Sequence, residues 1–229
     1  MGIRQTPSAR IMNKLKQQID VSKIFVVDDF IPSWLANSLD AQVSKYNGWT
    51  INEVPSEFLT DGKKSVDVGM TRLLYDQNRV EWEDANGITK LLHDASCLNG
   101  IVRVMPDALI QGLHRVRLNC TFANIDQHPH IDSDYPGMWT IVYYLNDSDG
   151  GTKFYHDNGY DLATTVEFKR GRAVIFPANY CHCAETPRHH HVRITAGIMY
   201  YVETSANTGW VNQYYDNNGL RIITGETNG

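Results

Sequence analysis

RVRLNCTF, residues 115–122, is where the chain changes its rhythm. From Arg115 onward apolar residues follow a period of two, the spacing that puts alternate side chains on one face of an extended strand. The same texture returns in MWTIVYYLN (138–146), GTKFYH (151–156), TTVEF (164–168), RAVIFP (172–177) and VRITAGIMYYV (192–202). Gly, Asp and Asn clusters such as NDSDGG (146–151) and KRG (169–171) separate them. Six short strands with turn signals between them predict an antiparallel sandwich or jelly roll. Such a fold can enclose a small-ligand cavity, so its inward face is the place to look for chemistry.

The residues before this stretch read differently. Ser8 to Ile19 carries spaced apolar positions (Ile11, Met12, Leu15, Ile19) among Lys and Gln, the pattern of a surface helix. IFVVDDF (24–30) is rich in β-formers, and a helix is predicted to start at Pro32 and Ser33, with Trp34, Leu35, Leu39 and Val43 as its apolar positions. A second long helix is expected over Arg79 to Leu98, and Asn47 to Asp67 reads as a loop that would shape a substrate cleft. A length of 229 residues with 42% hydrophobic content suits one core. The expected organisation is a single domain over 1–229, with a helical front to about residue 100, a jelly-roll core over about 101–205 and a C-terminal extension at 206–229.

Composition bounds the partners. With 21 basic against 26 acidic residues and a net charge of -5, there is no cationic field to gather phosphates, so a tightly bound nucleic acid is not supported. Cys97, Cys120, Cys181 and Cys183 form no CxxC pair and are too few for a disulfide scaffold, which points to reduced thiols in a cytoplasmic compartment. No apolar run approaches a membrane span, and the N-terminus lacks the apolar stretch of a signal peptide.

HPHIDSD (128–134) is the stretch that carries chemistry. Side chains two apart on an extended chain point the same way, so His130 and Asp132 can offer an imidazole nitrogen and a carboxylate oxygen to one point. FPANYCHCAETPRHHHVRIT supplies further histidines at 182, 189, 190 and 191. Two imidazoles and one carboxylate on one face of an octahedron leave the opposite face open, as in non-haem Fe(II) oxygenases; zinc, manganese and nickel sites compete for the same ligand set.

The order His130-x-Asp132, WTIVYYLND, DGGTKFY, RGRAVIFPANYCH and VRITAG resembles the Fe(II)/2-oxoglutarate-dependent dioxygenases, in particular the prolyl 4-hydroxylase-like branch. The resemblance covers roughly 115–202 and, more loosely, FVVDDFIPSWLANSL at the front. It implies a mainly β (α+β) fold, a double-stranded β-helix (cupin-like jelly roll) with N-terminal flanking helices. It implies His130, Asp132 and His182 as the ligands of Fe(II), with 2-oxoglutarate and O2 as cosubstrates and ascorbate as a supporting reductant. By the same resemblance Arg193 receives the far carboxylate of 2-oxoglutarate with support from Thr195, Tyr144 hydrogen-bonds that carboxylate, and Asn119 holds the near one. A carboxylate at Asp132 favours hydroxylation over halogenation, since halogenating members have Gly or Ala there. His128, which Pro129 biases toward an extended geometry, is left as a substrate contact facing the same cavity, and Asp134, beside the Tyr135-Pro136-Gly137 turn, as a turn residue or a substrate contact. The substrate is expected to be a small molecule, a free amino acid or a peptidyl proline. Two other classes stay open: a non-catalytic cupin-like binding module, and a metal-dependent hydrolase or isomerase on a jelly roll.

Overall fold

The computed structural model describes residues 19–45, 48–55, 66–77, 87–125, 127–156 and 161–203. The predicted helix at Ser8 to Ile19, all of it before residue 19, the start of the one at Arg79 to Leu98 and the extension at 206–229 lie outside the described residues.

Two sheets face each other. In chain order the strands are β1 (Phe25–Val27), β2 (Thr50–Pro55), β3 (Val66–Asp76), β4 (Leu109–Phe122), β5 (Met138–Tyr144), β6 (Thr152–His156), β7 (Asp161–Val166), β8 (Ala173–Pro177), β9 (His182–Ala184) and β10 (Val192–Glu203). The major sheet runs β1-β8-β5-β10-β4-β3-β2 and the minor sheet β7-β6-β9, with every pairing antiparallel. This is the expected jelly roll. Among the described residues it is accompanied by the helices α1 (Ser33–Ser44) and α2 (Ile88–Ala95); α2 continues through a π turn at Ser96–Ile101 to Val104.

The described part of the front half holds more strand than its sequence suggests. Asn47 to Asp67, expected as a loop, contains β2 and the start of β3, which extend the major sheet beyond β4. Its apolar alternation is weak because β2 is the outer strand, and Ile51 stays 71% exposed. α1 buries Ala36, Leu39 and Val43 on one stripe, as an amphipathic helix must, but Trp34, counted among its apolar positions, points outward. β4 begins six residues before RVRLNCTF, at Leu109. Among the described residues no helix is long and apolar enough to cross a membrane.

Strand parity gives the major sheet two distinct faces. Ile141 and Tyr143 of β5, Ala173 and Ile175 of β8, and Ala196, Ile198, Tyr200 and Val202 of β10 pack with Leu39, Val43 and Leu92 of the helices. This is the larger core. The alternate residues, Tyr144, Val174 and Phe176, meet Phe154 of the minor sheet and Val166. β5 therefore buries both of its faces, which is why MWTIVYY reads as a near-continuous apolar run. Toward one end of the inter-sheet space the apolar packing gives way to polar side chains, and a cavity opens there.

Candidate active site

A main-chain bridge brings the first two ligand candidates together. His130 and His182 exchange backbone hydrogen bonds, N to O, at 2.9 Å in both directions, and the Asp132 amide donates to the Ala178 carbonyl at 3.0 Å. The HID segment thus lies as an extra antiparallel rung beside β9, and the turn after β8 anchors its end. The ligand atoms of His130, Asp132 and His182 all fall within 4.8 Å of one another. His189, His190 and His191 stay on an exposed loop, held by Asp149: its carboxylate accepts the amides of Arg188, His189 and His190 at 3.0, 2.9 and 3.3 Å.

Each imidazole is oriented through its other nitrogen. His130 Nδ1 lies 3.1 Å from the His128 carbonyl and His182 Nδ1 lies 2.9 Å from the Tyr180 carbonyl. A carbonyl only accepts, so both Nδ1 atoms carry the proton and both Nε2 lone pairs are free for a metal. Burial pushes the His182 imidazole down to about 4, against the raising effect of Asp132, so the ring stays neutral as a ligand must. Burial alone would raise the Asp132 carboxyl, but the neighbouring His182, His130 and Arg115 and the Thr140 hydroxyl together hold it below its usual range. Thr140 Oγ1 donates to Asp132 Oδ2 at 2.8 Å, fixing the carboxylate's rotamer. Donor types, separation and protonation all suit a divalent transition metal.

The same cavity, of about 320 Å³, is lined by the triad and by Arg193, Thr195 and Asn119. Arg193 is 3% exposed. Its Nε donates to the Gly150 carbonyl at 2.7 Å and its Nη2 to Thr152 Oγ1 at 3.0 Å. No carboxylate of the described residues lies in ion-pair range of it. The DGG turn explains the close approach: a Cβ on Gly150 would sit 2.2 Å from the Glu185 carbonyl oxygen, and one on Gly151 2.5 Å from that of Val166. Neither position can carry a side chain without moving the backbone that receives the guanidinium.

Tyr144 is placed differently from expectation. Its hydroxyl meets Thr152 Oγ1 at 2.8 Å, its ring stacks on Phe168 with centroids 4.3 Å apart, and Arg193 lies over it at 5.4 Å. It is fully buried behind Thr152 and Arg193 and does not line the cavity. Neither His128, expected to face the cavity, nor Asp134, expected as a turn residue or a substrate contact, lines it. Pro129 sends the chain through an extended turn in which His128 contributes its carbonyl to His130, and neither side chain is among those lining the space. Thr140 and Thr152 escaped notice because a threonine in a strand is ordinary; only the strand parity shared with Val142 and with Phe154 marks them as inward.

Residues 117–202 match the family model of the 2OG-Fe(II) oxygenase superfamily. These residues are a 2OG-Fe(II) oxygenase domain. The match spans β4 to β10 and contains all three metal-ligand candidates and Arg193. Solved structures agree at the level of fold. A non-heme alpha ketoglutarate-dependent carbocyclase from nogalamycin biosynthesis superposes with a TM-score of 0.57 at 13% identity, covering 86% of this chain and 84% of that one. A prolyl hydroxylase from Trichoplax adhaerens, in complex with a hypoxia-inducible-factor peptide, gives 0.54 at 14% identity over 87% and 94%. A Pseudomonas putida prolyl-4-hydroxylase gives 0.52 at 12% identity over 84% and 97%. No curated protein sequence matches the chain. The oxygenase domain therefore takes Fe(II), 2-oxoglutarate and O2, and its residues fit that set: two imidazoles and a carboxylate for the metal, and a buried guanidinium for a dicarboxylate.

Proposed function

We propose that the chain is a hydroxylase in which His130, Asp132 and His182 hold Fe(II), and Arg193 receives the far carboxylate of 2-oxoglutarate. The observation that carries this reading is the buried Arg193 guanidinium, which shares a cavity with the triad and finds hydrogen bonds but no carboxylate among the described residues. A cation taken out of water demands a counter-ion, and a bidentate carboxylate meets a guanidinium best. Iron with 2-oxoglutarate supplies, when bound, the activation of O2 that oxidises an unactivated C–H bond, with succinate and CO2 as co-products.

The chain's own residues orient and shield. Thr152 and Tyr144 hold Arg193 from behind, Thr195 lies beside it on the same face of β10, and Asn119 approaches from β4 as a donor for the near carboxylate. Phe176 and Phe154, with ring centroids 4.7 and 6.0 Å from that of His182, keep water from its inner side. Neighbours of the same fold include hydroxylases of prolyl substrates and a ring-closing enzyme. With a carboxylate at position 132, hydroxylation of a peptide or of a small metabolite is the reading adopted here, in a reducing, cytoplasmic setting that suits four free thiols.

The test is a succinate assay on metal-stripped protein given Fe(II), ascorbate and 2-oxoglutarate. Wild type is expected to release succinate only with Fe(II), and Asp132→Ala to release none. Absence of succinate with every candidate substrate, together with no metal-dependent binding of 2-oxoglutarate, would overturn the reading.

A further inference from the structure

Asp132 is held from more sides than one. Its amide is tied to the Ala178 carbonyl, and its Oδ2 accepts the Thr140 hydroxyl and lies 3.7 Å from His182 Nε2. Oδ2 is therefore the oxygen on the His182 side. At Oδ1 stands Arg115, its Nη2 3.6 Å away, in an ion pair whose two side chains are 23% and 16% exposed. Arg115 has Asp76 opposite it on β3, yet among the described residues the carboxylate in ion-pair range of its guanidinium is that of Asp132.

Both side-chain contacts come from one row of the major sheet. Met199 of β10 pairs with Arg115 of β4 on one side and with Thr140 of β5 on the other, so the three side chains leave the sheet abreast on the cavity face. The outer two flank the carboxylate, one at each oxygen. Met199 between them is 2% exposed and packs against Ala178, the residue that receives the Asp132 amide. Just past the row β4 carries one residue more than β10, since Tyr200 pairs with Leu113 and His114 is left over. A bulge bends its strand and re-aims the side chain beside it, here that of Arg115.

A carboxylate can give a cation one oxygen or both. At a site built from two imidazoles and one carboxylate, a second oxygen would fill a position that has to stay open. A guanidinium at Oδ1 works against that in two ways: it occupies the oxygen, and it brings a charge of the metal's own sign to that side.

We propose that Arg115 is a positioning residue that makes Asp132 a one-oxygen ligand: it keeps Oδ1 off the metal while Thr140 presents Oδ2, and so leaves a coordination position for the cosubstrate. The proposal rests on the reading of His130, Asp132 and His182 as the metal site. It gives Arg115 a task separate from that of Arg193, whose partner on β4 is Thr121.

The test titrates metal-stripped protein with Mn(II) and then with 2-oxoglutarate, and records infrared difference spectra between the Mn(II)-loaded and metal-free states. The spacing of the two carboxylate stretching bands distinguishes one-oxygen from two-oxygen binding. Arg115→Met is expected to bind Mn(II) at least as tightly as wild type, because a like charge is removed and a second oxygen gained, and to bind 2-oxoglutarate about tenfold more weakly. Its carboxylate bands are expected to move from the one-oxygen to the chelating pattern. Arg115→Lys restores the wild-type bands and most of the 2-oxoglutarate affinity, and Arg103→Met, on the exposed end of the helical segment, changes neither. The thermal midpoint reports folding, and Arg115→Gln carries the same expectations where Arg115→Met does not fold. Equal losses of Mn(II) and 2-oxoglutarate affinity would make Arg115 a support of the fold and overturn the proposal. So would wild-type 2-oxoglutarate affinity or unmoved bands in Arg115→Met. A wild type that binds Mn(II) but no 2-oxoglutarate sinks the hydroxylase reading alone, and the bands still decide the role of Arg115. A wild type that binds no Mn(II) sinks the metal site and the proposal together.

Discussion

Thr152 joins two parts of the site through one hydroxyl, which lies 2.8 Å from the Tyr144 hydroxyl and accepts Arg193 Nη2 at 3.0 Å. Thr152→Val keeps the shape and removes that oxygen. It leaves a buried guanidinium short of one acceptor and free to tilt, a loss of about 1–2 kcal/mol. The KM for 2-oxoglutarate is therefore expected to rise roughly tenfold, with iron affinity unchanged; steady-state kinetics beside a metal titration check it. An equal loss of iron affinity would show that Thr152 acts on the fold and not on the seat of the cosubstrate. At this scale the convergence of His130 and Asp132 was legible in the sequence, because side chains two apart on an extended segment point the same way, whereas His182 entered through the family resemblance. Thr152 was not, since its importance depends on the strand across the cavity, which no local pattern records.

The loop from Asp149 to Gly151 and the loop carrying the three histidines form one element of support. Burial nudges the Asp149 carboxyl up, but the amides of Arg188, His189 and His190 and the Nδ1 of His190 outweigh it and hold the group down at about 2. A carboxyl depressed in the folded state contributes stability that is present above about pH 4, where the unfolded chain's carboxyl is also ionised, and is lost as pH falls toward 2. Asp149→Ala is accordingly expected to lower the urea midpoint at pH 6 and to make little difference at pH 2. Urea titrations across that range measure it, and a difference that grows on acidification would contradict the assignment. The elements of the back half were legible because β4 keeps a period of two and β5 and β8 are short apolar runs bounded by turn residues. β2 was not, because an edge strand has a neighbour on one side only and needs less apolar alternation. The loop reading at Asn47 to Asp67 failed for that reason.

The whole molecule separates stability from chemistry by the two faces of one sheet. Ile198 and Thr195 belong to the same strand, β10, but Ile198 packs in the helix-side core and Thr195 lines the cavity. Ile198→Ala is expected to destabilise by about 2–5 kcal/mol while the folded fraction keeps its KM for 2-oxoglutarate. Thr195→Val is expected to raise that KM with little change in the thermal midpoint. Denaturation curves paired with kinetics distinguish the two, and a shared effect would mean that the faces are coupled.

The backbone bridge between His130 and His182 bears on how the protein acquires its metal. Many metal sites assemble only as the chain folds around the ion, so that loading is slow and tied to folding. Here the two rungs are closed by peptide groups, and both rings are turned by carbonyls of the chain itself, contacts that no ion has to supply. Loading becomes a docking event: a single bimolecular phase, first order in metal, with no lag for the chain to rearrange. An oxygenase built this way recovers from loss of its iron as fast as iron can reach it.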